Sequence, residues 1–410
     1  MRRPELLIPA GSLEVLKIAV VFGADAVYIG GEVFSLRAKA KNFSMKEMKE
    51  GIAFAHQYGT KVYVTANIFA HNADLEEVRA YFYELKEVMP DALIISDAGV
   101  FSIAKEVCPE IEIHISTQAN NTNYATYLFW HGLGAKRIVC ARELSLAEIA
   151  EIRQHIPKEL EIEAFIHGAM CIAYSGRCLL SNYMVGRDAN QGACAHPCRF
   201  KYSVVEEQRP TEYMPVFENE RGTYIFNSKD LCMIEHIPEL FEAGIDSFKI
   251  EGRMKTALYV ATVARTYRKA IDDYMESPEK YRENMPWYLE QISSCTYRQF
   301  TTGFFFGKPS KEAQIYDNNT YVTEYIYLGI AEQSEKEGFC QISQRNKFSV
   351  GEQIEIMKPN GENIEVIVRQ ILDEEGNAMP SAPHPKQKLF IDLGIPVARY
   401  DILRRKAEEC

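Results

Sequence analysis

The sequence predicts an α/β fold, a (β/α)8 TIM-like barrel with a Cys-rich insertion, followed by a small C-terminal β-barrel domain. Three observations predict it. Short apolar β-type runs alternate with amphipathic helical stretches from the N-terminus onward, the pattern of a parallel sheet wrapped by helices. Eight such pairs fill about 275 residues, the size of one closed barrel. Beyond about residue 312 the helical periodicity gives way to short β-type runs separated by turn signals. A doubly wound open sheet is the competing arrangement for the first part. The expected domains are 1–276 for the barrel, with the insertion at 168–232, then 277–312 for a connector and 313–410 for the C-terminal domain.

The elements follow in order. Residues 5–8 (ELLI) lead into a helix from Ser12, and 26–29 (AVYI) lead through a basic loop into a helix from Ser44. Residues 61–65 (KVYVT) precede a helix over 73–89. The runs 92–96, 111–115, 137–140 and 160–166 continue the series, each except the last promptly trailed by a helix. After the cysteine stretch a hairpin is expected between 202–206 and 224–227, then a helix through 232–243. The eighth strand, 247–250 (SFKI), feeds a long helix over 256–276, where Tyr259, Val263 and Tyr267 repeat at a spacing of four. Prolines at 278, 286 and 309 punctuate the connector. Five β-type runs follow, 321–331, 339–343, 353–357, 364–372 and 388–391, one of the turns between them being Lys358-Pro-Asn-Gly.

The composition is that of a soluble globular chain, with 47% apolar and 25% charged residues. A net charge of −11 excludes coating of nucleic acid by general electrostatics and leaves only a local basic mouth for such a partner. The apolar N-terminus is interrupted by Glu5, Glu14 and Lys17, and no apolar run is long enough to span a bilayer. No membrane partner and a cytoplasmic location are expected. In that compartment clustered thiols serve as ligands or catalysts more often than as disulfides.

The chemical signal is concentrated in residues 167–198, HGAMCIAYSGRCLLSNYMVGRDANQGACAHPC, which hold four of the ten cysteines, with Cys232 following. Six residues separate Cys171 from Cys178, fifteen separate Cys178 from Cys194, and three separate Cys194 from Cys198. Thiolates at long, irregular spacings suit an iron–sulfur cluster. Structural zinc prefers paired knuckles, and only Cys194 with Cys198 resembles one. Cys108, Cys140, Cys295, Cys340 and Cys410 read as packing residues.

In such barrels the reactive end is the one to which the strand C-termini point. Those ends present Thr65, Asn67, Thr117, Gln118, Asn120, Arg142, Glu143, His167, Glu251 and Arg253. His167 is the candidate acid or base, and Arg142, which can grip an anion bidentately, joins it as a candidate catalytic residue. Arg37, in the basic loop SLRAKAKNFS, and Arg253 are the candidate contacts to substrate carboxylate or phosphate, with Lys249 and Lys255 adding to the positive mouth. An HExxH helix, a GxSxG elbow and a GxxxxGK loop are all missing.

The stretches HGAMCIAYSGRCLLSNYMVGRDANQGACAHPCRFKY, NSKDLCMIEHIPEL and DSFKIEGRMK, with ELLIPAGSLEVLKIAVVFGADAVYIGG and FSLRAKAKNFS, resemble the collagenase-like peptidase family of unknown catalytic type. The C-terminal segment resembles the extra domain of that family's tRNA-hydroxylating branch. The resemblance implies a tRNA uridine 5-hydroxylase making 5-hydroxyuridine at the wobble position, dependent on prephenate and carrying a 4Fe-4S cluster. Related members hydroxylate ribosomal RNA or the ubiquinone ring. Carried over residue by residue, Cys171, Cys178, Cys194 and Cys232 match the cluster-binding positions of the ubiquinone branch, and Cys198 is the rival for the fourth. The implied partners are prephenate and a tRNA anticodon loop, whose unstacked bases are gripped by aromatic and arginine contacts; a paralogous partner subunit stays open. Two other functions stand beside this one, a collagenase-like peptidase and an RNA-binding scaffold with structural zinc.

Overall fold

A computed structural model describes residues 2–32, 42–171, 173–199, 203–206, 209–215, 227–295, 299–308, 314–315, 324–333, 336 and 338–407. Eight strands form the barrel: β1 (Glu5–Pro9), β2 (Ala26–Gly30), β3 (Lys61–Ala66), β4 (Ala92–Ile95), β5 (Glu112–Ile115), β6 (Arg137–Val139), β7 (Glu161–Ala169) and β8 (Ser247–Ile250). Each pairs in parallel with the next, and β8 closes the ring by pairing with both β7 and β1. This closure rules out the doubly wound open sheet. The strands are apolar runs because a parallel strand is covered on both faces, and β2 and β4 are buried at every position.

The helices α1 (Leu13–Val21), α2 (Met45–Gln57), α3 (Leu75–Val88), α4 (Ala98–Val107), α5 (Tyr124–Gly132), α6 (Leu146–His155), α7 (Ile237–Glu242) and α8 (Ala257–Glu276) alternate with them. Their starts are locally encoded. Ser44 with Glu47 and Ser145 with Glu148 form reciprocal capping boxes at α2 and α6, and the Asp97 carboxylate accepts from Val100 N–H at the start of α4.

Among the apolar side chains of the barrel stands a buried ionic network. The Arg137 guanidinium, 3% exposed, bonds to Glu5, to Glu161 at 2.6 Å and to Glu163 at 3.0 Å. Lys249 Nζ lies 2.6 Å from the other oxygen of Glu163, whose side chain is fully buried. Burial pushes the Glu5 carboxyl up, but Arg137 beside it overrides that and carries it down to about 2.

Strand β7 outruns the barrel. Its last residues pair antiparallel with Asp230–Cys232, with Cys232 opposite His167, and Asp230–Leu231 pairs in turn with Phe300–Thr301. Gly168 makes the crossing possible. Its φ is +106°, and a Cβ there would stand 2.7 Å from the Glu251 carbonyl oxygen. Between the two strands lie a short helix, Leu180–Val185, and 3-10 turns at Ala189–Gln191 and Pro197–Arg199. The expected hairpin is re-paired: Ser203–Glu206 joins Arg209–Pro215 instead, and Asn227–Ser228 joins Gln314–Ile315. Residues 224–226, which the sequence reading assigned to that hairpin, lie outside the described residues.

By contacts the chain divides into two compact units. The first is Met1–Val20, Ala24–Lys255 and Arg298–Thr320; the second is Val21–Gly23, Thr256–Tyr297 and Tyr321–Cys410. The long helix α8 therefore groups with the C-terminal strands. That unit holds an antiparallel sheet of β9 (Tyr325–Glu332), β10 (Cys340–Gln344), β11 (Gln353–Met357), β12 (Asn363–Ile367), β13 (Gln370–Leu372), β14 (Ala378–Met379), β15 (Lys388–Asp392) and β16 (Ile402–Lys406). Their order is β12-β11-β16-β9-β10-β15-β13-β14. Alternate positions feed one apolar core, for example Ile354 and Ile356 with Ile342, Ile391 and Leu403.

Candidate active site

The C-terminal ends of the barrel strands and the cysteine-rich insertion enclose one cavity of about 170 Å³. Its wall has three chemical sectors. Thr65 and Asn67 from the end of β3, with Ser116, Thr117 and Gln118 after β5, supply hydroxyls and amides. Arg142, Lys249 and Arg253 supply positive charge, offset on the wall by Glu251. The insertion supplies the thiols of Cys171, Cys178, Cys194 and Cys198.

Each cation is held by packing. The Arg142 guanidinium lies 4.1 Å above the Phe165 ring and donates through Nη1 to the Ala169 carbonyl at 2.9 Å, with Cys171 Sγ at 3.9 Å. Lys249 Nζ sits 4.5 Å from the centre of the Tyr28 ring. Burial lowers the pKa of its ammonium, and the Glu163 carboxylate opposes that shift. Arg253, nine-tenths buried, donates to Thr65 Oγ1 at 3.0 Å. Gly176, with φ +73°, lets the insertion descend onto this wall, since a Cβ there would meet Gln118 Oε1 at 2.6 Å.

The thiols divide as their sequence context implies. Cys108, Cys140, Cys295 and Cys340 are buried, and burial drives the first two and Cys340 to about 11, 12 and 12. Cys171 is exposed, and Cys178, Cys194, Cys198 and Cys232 are half-buried. The His196 amide donates to Cys194 Sγ at 3.4 Å. As a donor set these soft sulfurs from separate loops suit a thiolate-bound cluster. As arranged, no three His, Cys, Asp or Glu side chains among the described residues stand close enough to hold a metal ion.

The residues singled out in the sequence fare differently. Arg142, Arg253, Cys171, Cys178 and Cys194 meet on the cavity wall. Cys232 is on the antiparallel strand opposite His167, and Cys198 takes a place on the wall beside the other three thiols. His167 is 1% exposed, is outside the set of cavity-lining residues, and packs against the Phe300 ring at 5.8 Å between centroids. Burial lowers its pKa to about 4, so it is neutral at physiological pH. Arg37 lies outside the described residues. The sequence reading missed Asn190, which reaches the wall from the 3-10 turn Ala189–Gln191, and His196, which reaches it from irregular chain; neither segment carries a periodic signal.

Fold and cavity together define a (β/α)8-barrel enzyme with a thiol-lined active-site mouth. The chain belongs to peptidase family U32: residues 11–315 match that family and residues 323–404 match the family's C-terminal domain. It is 41% identical over 405 residues to tRNA hydroxylation protein P1 of Bacillus subtilis, covering 98% of this chain and 95% of the relative. It is 40% identical over 423 residues to tRNA hydroxylation protein P of Escherichia coli, covering 93% and 92%. A third relative, the 23S rRNA 5-hydroxycytidine C2501 synthase of Escherichia coli, is 38% identical over 275 residues, covering 67% of this chain and 40% of that one.

Proposed function

We propose that this chain hydroxylates transfer RNA, converting the wobble uridine to 5-hydroxyuridine, with prephenate as co-substrate and a 4Fe-4S cluster on the thiols of the insertion. The observation that carries the reading is similarity along nearly the whole length, both domains included, to proteins named for tRNA hydroxylation. Cys171, Cys178, Cys194 and Cys232 are the proposed ligands, with Cys198 the competitor for the fourth place because it shares the cavity wall. When bound, the cluster supplies one-electron chemistry beside the base.

The chain's own residues bind and orient. Arg253 and Lys249 are the cations offered to the carboxylates of prephenate, both already desolvated and so able to interact strongly with an anion. On the insertion, Tyr183 is 87% exposed and Tyr174 and Leu179 are exposed near it in sequence, with Arg177 and Arg187 in the same segment. Exposed aromatic rings next to guanidinium groups are what unstacked bases and loop phosphates require.

Nucleoside analysis of bulk tRNA tests the reading. Deleting the gene in a strain without a paralogue abolishes 5-hydroxyuridine, and the intact gene restores it; an unchanged level overturns the assignment. Anaerobically purified protein is brown, whereas a colourless protein with stoichiometric zinc would remove the cluster. Replacing the fourth ligand lowers iron per chain, so Cys232→Ser is expected to lose iron and Cys198→Ser to keep it.

A further inference from the structure

In a chain of net charge −11, two segments of the C-terminal unit, 338–351 and 376–391, contain no Asp or Glu. Between them they hold Arg345, Lys347, Lys386 and Lys388. The fold lays the two segments side by side. Strands β10 and β15 are antiparallel neighbours with Ser343 opposite Lys388, and the pairing runs on at their ends, where Lys386 N–H donates to the Gln344 carbonyl at 2.8 Å and Gln344 N–H to the Gln387 carbonyl at 3.1 Å. Phe348 and Ser349 then pair with Ala382 and Ser381, which keeps Lys347 beside the turn that bears Lys386. Side chains directly opposite in an antiparallel pair share a face, so Ser343 and Lys388 share one, and Arg345 joins it through Nη1 to Ser343 Oγ at 2.8 Å. The alternate positions, Ile342 and Leu389, turn into the apolar core, so this face points outward.

Lys347, Lys386 and Lys388 are exposed, and no carboxylate among the described residues pairs with them. Glu352, the first carboxylate after Lys347 in the chain, is taken by Arg405 and by the Ser349 N–H. Lys386 holds φ +65°, a conformation that glycine adopts without strain, and Pro383 and Pro385 stiffen the approach to it. A lysine kept at such a position is there for its side chain. Cations gathered without a counter-ion repel one another, and a polyanion relieves that repulsion while releasing its own condensed counterions. We propose that this face takes the phosphate backbone of a helical arm of the tRNA other than the anticodon stem–loop. The inference rests on the tRNA reading and adds a second region of contact to it. Lysines are hydrated point charges that suit phosphates met by shape, and neither segment exposes an aromatic ring on which a base could stack. The insertion does, with Tyr174 and Tyr183. It belongs to the first compact unit and the basic face to the second, so unpaired bases are assigned to the one and helical backbone to the other.

The experiment uses the full chain with an unmodified tRNA transcript and, separately, with its anticodon stem–loop, each titrated from low to physiological salt. The wild type is expected to show a steeper slope of log affinity against log salt on the whole tRNA than on the stem–loop. Lys347→Gln/Lys386→Gln/Lys388→Gln flattens the whole-tRNA slope by about 2 to 3, at roughly 0.7–0.9 per phosphate contact, and leaves the stem–loop slope unchanged. Lys347→Arg/Lys386→Arg/Lys388→Arg keeps the wild-type slope. In turnover the glutamine variant raises KM for whole tRNA and leaves kcat in place. Equal wild-type slopes on the two RNAs overturn the inference while the tRNA reading stands. So does a glutamine variant whose whole-tRNA slope matches the wild type's, which would hand the face to an acidic protein instead. Wild-type protein that binds neither RNA sinks the tRNA reading and this inference with it.

Discussion

Glu5 is a carboxylate inside the barrel that accepts from Arg137, from Tyr63 Oη at 2.6 Å and from Ser247 Oγ at 3.1 Å. Its folded pKa of about 2 lies below the ordinary 4.5, so the unfolded chain binds a proton first as pH falls. The stabilisation is complete above pH 4.5 and is lost as pH drops from there towards 2. The shift corresponds to about 3 kcal/mol. Glu5→Gln is accordingly expected to lose about that much stability at pH 7 and to flatten the acid limb between pH 4.5 and 2, read from urea midpoints at stepped pH. An acid limb as steep as the wild type's would place the effect on other carboxylates. At the same scale, the gathering of Cys171, Cys178, Cys194 and Cys198 on one wall is legible in the sequence because the four crowd into one short stretch. The unpaired Oδ1 of Asn67 is not, because a strand-end asparagine looks the same in sequence whether or not its amide is satisfied.

Among elements, those that follow one period were readable. The barrel strands are continuous apolar runs, and α2 and α6 begin at serine and glutamate pairs that cap them. Strand β16 was missed because its sequence, ILRRK, reads as a charged tail. Its Arg404 is 1% exposed, bonds through Nε to Glu355 and through Nη1 to Ser294 Oγ at 2.9 Å, and lies 4.1 Å over the Tyr325 ring. Buried arginine of this kind is invisible to a hydropathy pattern, since only the partners make it affordable to bury. Removing one partner strands the other, so Arg404→Ala is expected to destabilise by about 3–5 kcal/mol. The Arg404→Ala/Glu355→Ala pair should cost clearly less than the two single changes added together in urea unfolding. Strict additivity would show that β16 is held by its apolar residues alone.

For the whole molecule, contacts group helix α8, which the expected boundary at 276 leaves with the barrel, with the C-terminal strands. Helix α8 follows β8 at the spacing of any barrel helix, yet the chain passes to the second unit at residue 256, returns at 298 and leaves again at 321. Sequence spacing records connection, not which body a helix packs in. The charge is distributed with similar economy. A net −11 over 410 residues gives no general attraction for RNA, while the 28 residues from Cys171 to Cys198 contain Arg177 and Arg187 and only one carboxylate, Asp188. Binding must then rest on stacking and a few local phosphate contacts rather than on a broad cationic face. Each contact to single-stranded RNA contributes about −0.7 to the slope of log affinity against log salt, so two or three contacts give roughly −2. Titrating a labelled anticodon stem–loop between low and physiological salt measures that slope. Arg177→Gln with Arg187→Gln should flatten it by about 1.4, and Tyr183→Ala should weaken binding at every salt concentration without changing the slope. A wild-type slope of about −5 or steeper would mean that an extended basic surface binds the RNA instead.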